Sequence, residues 1–148
     1  MVERTLVLLK SGVLQRRIAG ELIRRFERKG FNIIALKLLR MDRALAEAHY
    51  GEHRGKDFYE KLLDYICSGP VIAMVLEGEE AIPLVRALTG PTEVLKAPPG
   101  TIRGDFAHRT RFNVVHASDS PAAADREIAL FFTDEEILPW EDGNARWF

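Results

Sequence analysis

Short apolar runs of strand character alternate along this chain with segments of helical period, and their order leaves few folds open. Residues 5–9, 31–39, 71–76 and 112–115 are the strand runs. Residues 13–29 place Leu14, Ile18, Ala19, Leu22, Ile23 and Phe26 on one broad helical face, and Gly30 is the stop. Residues 44–50 and 58–67 predict two short helices, closed by the turn Ser68, Gly69, Pro70. A helix over 79–89 follows the third strand, with Pro83 tolerable near its first turn. Ser120 is an N-cap with Pro121 at the first helical position, and the helix runs to residue 132. A tail carrying Trp140 and Trp147 follows. Set aside the inserted pair and the last helix, and the order is the split βαβ of ferredoxin-like folds. The expected class is α+β: a four-stranded antiparallel sheet with helices on one face, an inserted helical pair and a C-terminal tail.

The 148 residues favour a single domain over 1–148, long enough to bury a core without staples. Lys and Arg number 21 against 22 Asp and Glu, a net charge of -1. That balance argues against a nucleic-acid coat or a membrane-attracted surface, and leaves room for a local basic pocket. No apolar run reaches membrane-spanning length, and the N-terminus reads as a strand, not a signal peptide. Cys67 is the only cysteine, so no internal disulfide forms; a reducing, cytoplasmic setting fits.

The stretch 90–111 has Pro91, Pro98 and Pro99 and no long periodic segment. Loops of this length in compact domains are usually functional or disordered. It carries Thr92, Thr101, Arg103, Arg109 and Arg111, which suit a phosphate-binding loop as well as they suit a solvated excursion. His116 follows the fourth strand; imidazole there can be nucleophile, base or ligand, though a lone strand-end His is more often structural. Glu127 shares a helical stripe with Ala124, Ile128 and Phe131, so it either needs a buried partner, such as His116, or reaches water at the stripe's edge. Lys10, Arg86 and Arg103 are candidate phosphate clamps, Lys10 because a strand end meets a helix N-terminus there. His49, His53 and His108 show no metal-ligand spacing, and neither a Walker motif nor a Rossmann glycine fingerprint occurs.

The run Asn113, Val114, Val115, His116, Ala117, Ser118, Asp119 resembles the active-site motif of the nucleoside diphosphate kinases, N-x-x-H-[GA]-S-D. The run Thr101, Ile102, Arg103, Gly104, Asp105 is similar to the same family, as are Glu3-Arg4-Thr5, Ser68-Gly69-Pro70-Val71 and Trp147. The likeness spans essentially the whole chain. It implies that His116 is the nucleophile that becomes phosphohistidine, with Glu127 and Ser118 holding its ring. It further implies that Lys10, Tyr50, Arg86, Thr92, Arg103 and Asn113 bind the phosphates and sugar, that Phe58 stacks on the base, and that Leu62 lines the base cleft. Mg2+ would arrive with the nucleotide, held mainly by phosphate oxygens. Substrates would be ATP, GTP and other nucleoside triphosphates and diphosphates, and the assembly a homo-oligomer, by its long tail a hexamer. Strand alternation would put Asn113 and His116 on opposite faces, so the chain must bend near Val115.

Two positions depart from the family. Lys10 is followed by Ser11 and Gly12, where Pro and then Asp or Asn are usual, and Val94 stands where many members have Pro. Ser11 is expected to cap the first helix in place of the missing acid. Two other readings compete: a non-catalytic nucleotide-binding subunit, favoured only by Ser11-Gly12, and an RNA-binding ferredoxin-like module, disfavoured by apolar strands and the charge balance.

Overall fold

A computed structural model describes residues 1–148. Its sheet has four strands: β1 (Val2–Leu9), β2 (Asn32–Leu39), β3 (Val71–Glu79) and β4 (Val115–Ala117). All pairings are antiparallel, in the order β2-β3-β1-β4. The apolar runs are continuous because both faces of the sheet are covered. Leu6 and Leu8 of β1 point into one core, and Val7 and Leu9 into the other.

One face carries α1 (Ala19–Lys29) and α4 (Ala81–Thr89), the two helices of the split βαβ unit. Leu22 and Phe26 of α1 and Ala81 and Val85 of α4 pack there against Val7, Met74 and Leu76. The inserted pair, α2 (Arg43–His49) and α3 (Tyr59–Cys67), and the last helix, α6 (Pro121–Phe131), fill the opposite face. Ala46, Leu63, Ile66, Ile128 and Phe131 there meet Leu6, Leu8, Ala73 and Val75. The one-face arrangement therefore holds for the split βαβ core, and the additions to it make a second helical layer.

Three local departures from the expected elements have physical causes. Helix α1 begins at Ala19, later than residue 13, because residues 11–17 form turns and Arg17 has φ 60. Its end is as expected: Gly30 has φ 111 and its N–H reaches back to the last carbonyls. The stretch 90–111 contains a short helix, α5 (Ile102–Phe106), which Thr101 caps by accepting from Gly104 N. A side chain at Gly104 would put its Cβ 1.9 Å from the carbonyl oxygen of Pro98, so only glycine fits. Strand β4 is shifted to 115–117 because Val114 turns the chain before it. The tail folds back on β2, where Leu138 N donates to Ile34 O (2.7 Å) and Trp140 Nε1 to Ile33 O (2.9 Å).

Candidate active site

The site forms where the ends of β1 and β4 meet α6. His116 is the middle residue of β4, opposite Leu8 of β1. Its side chain is only one-fifth exposed. Ser120 caps α6 by accepting from Ala123 N, and the helix so started points Glu127 inward at 4% exposure. Glu127 Oε1 lies 3.0 Å from His116 Nε2 and accepts from Ser118 Oγ at 2.6 Å. Ser118 in turn accepts from Leu6 N (3.1 Å), so the carboxylate is fixed to the central strand. Of the two possibilities left open for Glu127, the buried pair with His116 is the one realised.

An ionised carboxylate can only accept, so His116 Nε2 carries the hydrogen and the lone pair is left on Nδ1. Burial holds the ring below the ordinary histidine pKa, against the opposing pull of Glu127, and the charges of Lys10 and Arg103 add to the depression. For Glu127, burial pushes up, but the hydrogen bonds from His116 and Ser118 outweigh it and keep the carboxyl below its usual range. The pair at neutral pH is thus imidazole and carboxylate.

The bend that aligns Asn113 with His116 is at Val114. That residue has φ 64, and Val115 N donates to Asn113 O across it at 2.8 Å, a γ-turn. A β-branched residue at positive φ is strained, and such strain gathers at functional sites. The turn is pinned by Lys10 N, which donates to Val114 O (2.9 Å). Lys10 Nζ then donates to Asn113 Oδ1 (2.8 Å), and Asn113 Nδ2 to Thr110 O (3.0 Å).

Lys10 and Arg103 are buried cations with no carboxylate partner. Burial, with Arg103 adding to it, lowers the Lys10 pKa to about 7. Arg103 donates to Gly90 O (2.7 Å) and Val115 O (2.6 Å), its Nε has no partner, and burial and Arg86 lower its pKa to about 10. Arg86 donates to Ala117 O (3.0 Å), so both guanidiniums flank His116 through the carbonyls of β4. The Tyr50 hydroxyl is buried without a partner, and burial drives its pKa up. Buried positive charge without a counter-ion, beside an unpartnered hydroxyl, is an arrangement suited to an anionic ligand.

Thr92, Phe58 and Leu62 make no side-chain hydrogen bond to this cluster. Thr92 is exposed on the 90–111 loop. Phe58, half exposed at the start of α3, has the His53 ring 5.4 Å away and Lys56 Nζ 5.7 Å from its centroid. Leu62, one turn later, packs partly on the core. Ser11 is not the cap expected of it. Its hydroxyl turns inward toward Ile66 O and Gly69 O, both at 3.0 Å, and fastens the loop to the end of α3. Gly12 N donates instead to the Gln15 side chain (3.0 Å), so the loose turn is closed by the amide and the helix starts later. His49 was not distinguished by any spacing; at the end of α2 it is 2% exposed, and its ring stands edge-on to His116 with centroids 4.6 Å apart. Burial, with His116 adding to it, lowers its pKa to about 3.

The nucleoside diphosphate kinase family model matches residues 3–137. The chain belongs to the nucleoside diphosphate kinase family. A nucleoside diphosphate kinase of Treponema pallidum subsp. pallidum is 58% identical over 146 residues, covering 99% of this chain and 98% of its own. One from Archaeoglobus fulgidus is 55% identical, with 99% and 97% covered. Among solved structures, a halophilic nucleoside diphosphate kinase from Halobacterium salinarum in complex with CDP superposes with TM-score 0.97 at 43% identity, covering 99% of this chain and 98% of that one. The ferredoxin-like α+β architecture is therefore the family's.

Proposed function

We propose that this chain transfers the γ-phosphate of a nucleoside triphosphate to a nucleoside diphosphate through a phosphohistidine at His116. The observation that carries the proposal is the buried Glu127–Ser118 anchor, which holds His116 Nε2 and leaves Nδ1 free beside unpaired cations. In the first half-reaction the Nδ1 lone pair attacks the γ-phosphorus, the bond to the bridging oxygen breaks, and the diphosphate leaves. The ring gains positive charge as it takes the phosphate, and the Glu127 carboxylate stabilises it. In the second half-reaction a diphosphate oxygen attacks the phosphorus and the ring leaves as neutral imidazole. Alignment and charge are most of what phosphoryl transfer asks of a protein.

Lys10, Arg86, Arg103, Tyr50, Thr92 and Asn113 would hold the phosphates and sugar, with Arg103 Nε and the Tyr50 hydroxyl free to donate. Phe58 would stack on the base and Leu62 line the cleft. A π-face accepts any base, so ATP, GTP and other nucleotides serve. Mg2+ prefers several oxygen ligands and Glu127 is the one buried carboxylate at the site, so Mg2+ would arrive as part of the nucleotide, held by phosphate oxygens. There it would supply charge neutralisation. The Halobacterium relative bound to CDP supports a diphosphate as acceptor.

The active form would be a cytoplasmic homo-oligomer, a hexamer by family likeness. The exposed Leu36, Leu38, Leu95 and Trp147 support an assembly that covers apolar surface, and no helix is long and apolar enough to cross a membrane. Initial rates with both substrates varied test the transfer scheme. Parallel double-reciprocal lines are expected, and intersecting lines would contradict a covalent intermediate. Light scattering should give a hexamer mass; a monomer would reject any assembly, and a tetramer this one.

A further inference from the structure

Buried polar side chains nearly always find a partner, and His49 does not. It is 2% exposed, and neither Nδ1 nor Nε2 has a hydrogen-bond partner. The ring is held edge-on to His116 at an interplanar angle of 85°, with Phe131 on a further side at 5.3 Å. One ligating atom from each of His49, His116 and Glu127 lies within 4.8 Å of the others.

We propose that these three side chains form a binding site for a borderline-soft divalent transition ion of the zinc class, and that filling it switches off phosphate acceptance by His116. Tetrahedral coordination at ordinary zinc distances sets ligand atoms roughly 3.4 Å apart. His116 Nε2 and Glu127 Oε1 are already at 3.0 Å. Against the 4.8 Å bound, the closure left is at most about 1.4 Å. Two imidazoles and a carboxylate suit Zn2+ or Co2+ and not Mg2+, which prefers oxygen ligands. Water or a phosphate oxygen would be the fourth ligand. Arg126, whose Nη2 is 3.8 Å from Glu127 Oε2, and Lys10 oppose a cation here and weaken its binding.

The switch follows from proton balance on one ring. An ion on Nε2 needs its lone pair, so the hydrogen that Nε2 donates to Glu127 leaves and the neutral ring carries its hydrogen on Nδ1. Nδ1–H has no lone pair in the plane for phosphorus, and no P–N bond forms. An ion on Nδ1 blocks the nucleophile outright. This second step rests on His116 being the phosphate acceptor; the site itself does not.

The test titrates the full-length, metal-stripped protein with Co2+ in the absence of nucleotide. The expected result is the intense visible absorption of tetrahedral Co2+, saturating at one ion per chain and bleached by Zn2+. His49→Phe keeps an aromatic ring without ligand atoms and should abolish the band; His49→Gln is the second variant should the first not fold. Micromolar Zn2+ should suppress labelling of the parent by γ-labelled ATP in excess Mg2+, with recovery on EDTA. Either variant should raise the Zn2+ needed by at least about tenfold, since even outer-shell losses cost that much. No band in the parent, or a band unchanged in a folded His49 variant, overturns the site. A His49-dependent band with labelling indifferent to Zn2+ overturns the switch. A parent that binds Co2+ and never labels refutes the phosphohistidine reading and leaves the site standing.

Discussion

His116 Nε2 and Glu127 Oε1 lie 3.0 Å apart, and that one carboxylate oxygen also takes the Ser118 hydroxyl at 2.6 Å. The shared oxygen fixes both the orientation and the tautomer of the ring. Glu127→Gln keeps the shape and removes the charge. A hydrogen bond to a charged group is worth about 1.5–3 kcal/mol, so kcat should fall roughly ten- to a hundredfold. The nucleotide KM should change little, because Glu127 reaches the ring and Ser118 and not the cations Lys10, Arg86 or Arg103. Steady-state kinetics on the variant check this; an unchanged kcat would remove Glu127 from the mechanism.

Lys10 should make nucleotide binding take up a proton. In the free protein its pKa is lowered to about 7, first by burial and then by Arg103. Above that pH the amine is neutral, and the phosphates of a bound nucleotide restore its charge. The sign is uptake, within the window from about 7 to the ordinary lysine value of 10.5. Calorimetry at pH 8 in two buffers of different ionisation enthalpy measures it. Uptake approaching one proton is expected, and Lys10→Met should abolish it; no uptake by the parent would contradict the assignment.

Ser11→Ala removes the hydroxyl that ties the loop after β1 to Ile66 O and Gly69 O. The hydroxyl's one hydrogen is shared between two buried carbonyls, and its loss should cost about 1–3 kcal/mol. Thermal melting reads the loss. The turnover number should stay near the parent's while KM rises, since Lys10 sits at the head of this loop. A melting temperature equal to the parent's would show that the tether carries no stability.

The legible parts of the chain were those where local pattern and tertiary packing agree. Residues 5–9 and 71–76 read as strands because both sheet faces are covered, and Gly30 and Ser120 marked helix ends that the backbone confirms. Helical period alone extends α1 too far, because nothing in the residue types at 13–18 signals the left-handed turn at Arg17. Strand β4 lies two to three residues later than the residue types indicate because Val114, a good strand former, sits at positive φ. Helix α5 leaves no periodic signal because it is short and has glycine inside it, where the chain passes close to Pro98. The pairing of Glu127 with His116 was one of two outcomes the helical stripe allowed. Capping is a local rule and directs Ser11 to its own helix, whereas its acceptors lie on α3 and the turn after it. His49 had no signal, since only packing of α2 beside β4 and α6 brings its ring to His116.

The most direct test of the central claim is where and how a transferred phosphate is held. The protein is mixed with γ-labelled ATP and Mg2+, freed of nucleotide, and split between acid and alkali. Protonation of a phosphorylated imidazole makes the ring a good leaving group, so acid should strip the label and alkali should spare it. His116→Ala should take up no label while still binding nucleotide. Label that survives acid and is lost in alkali, or that persists in His116→Ala, would place the phosphate on a hydroxyl such as Ser118 and contradict the account.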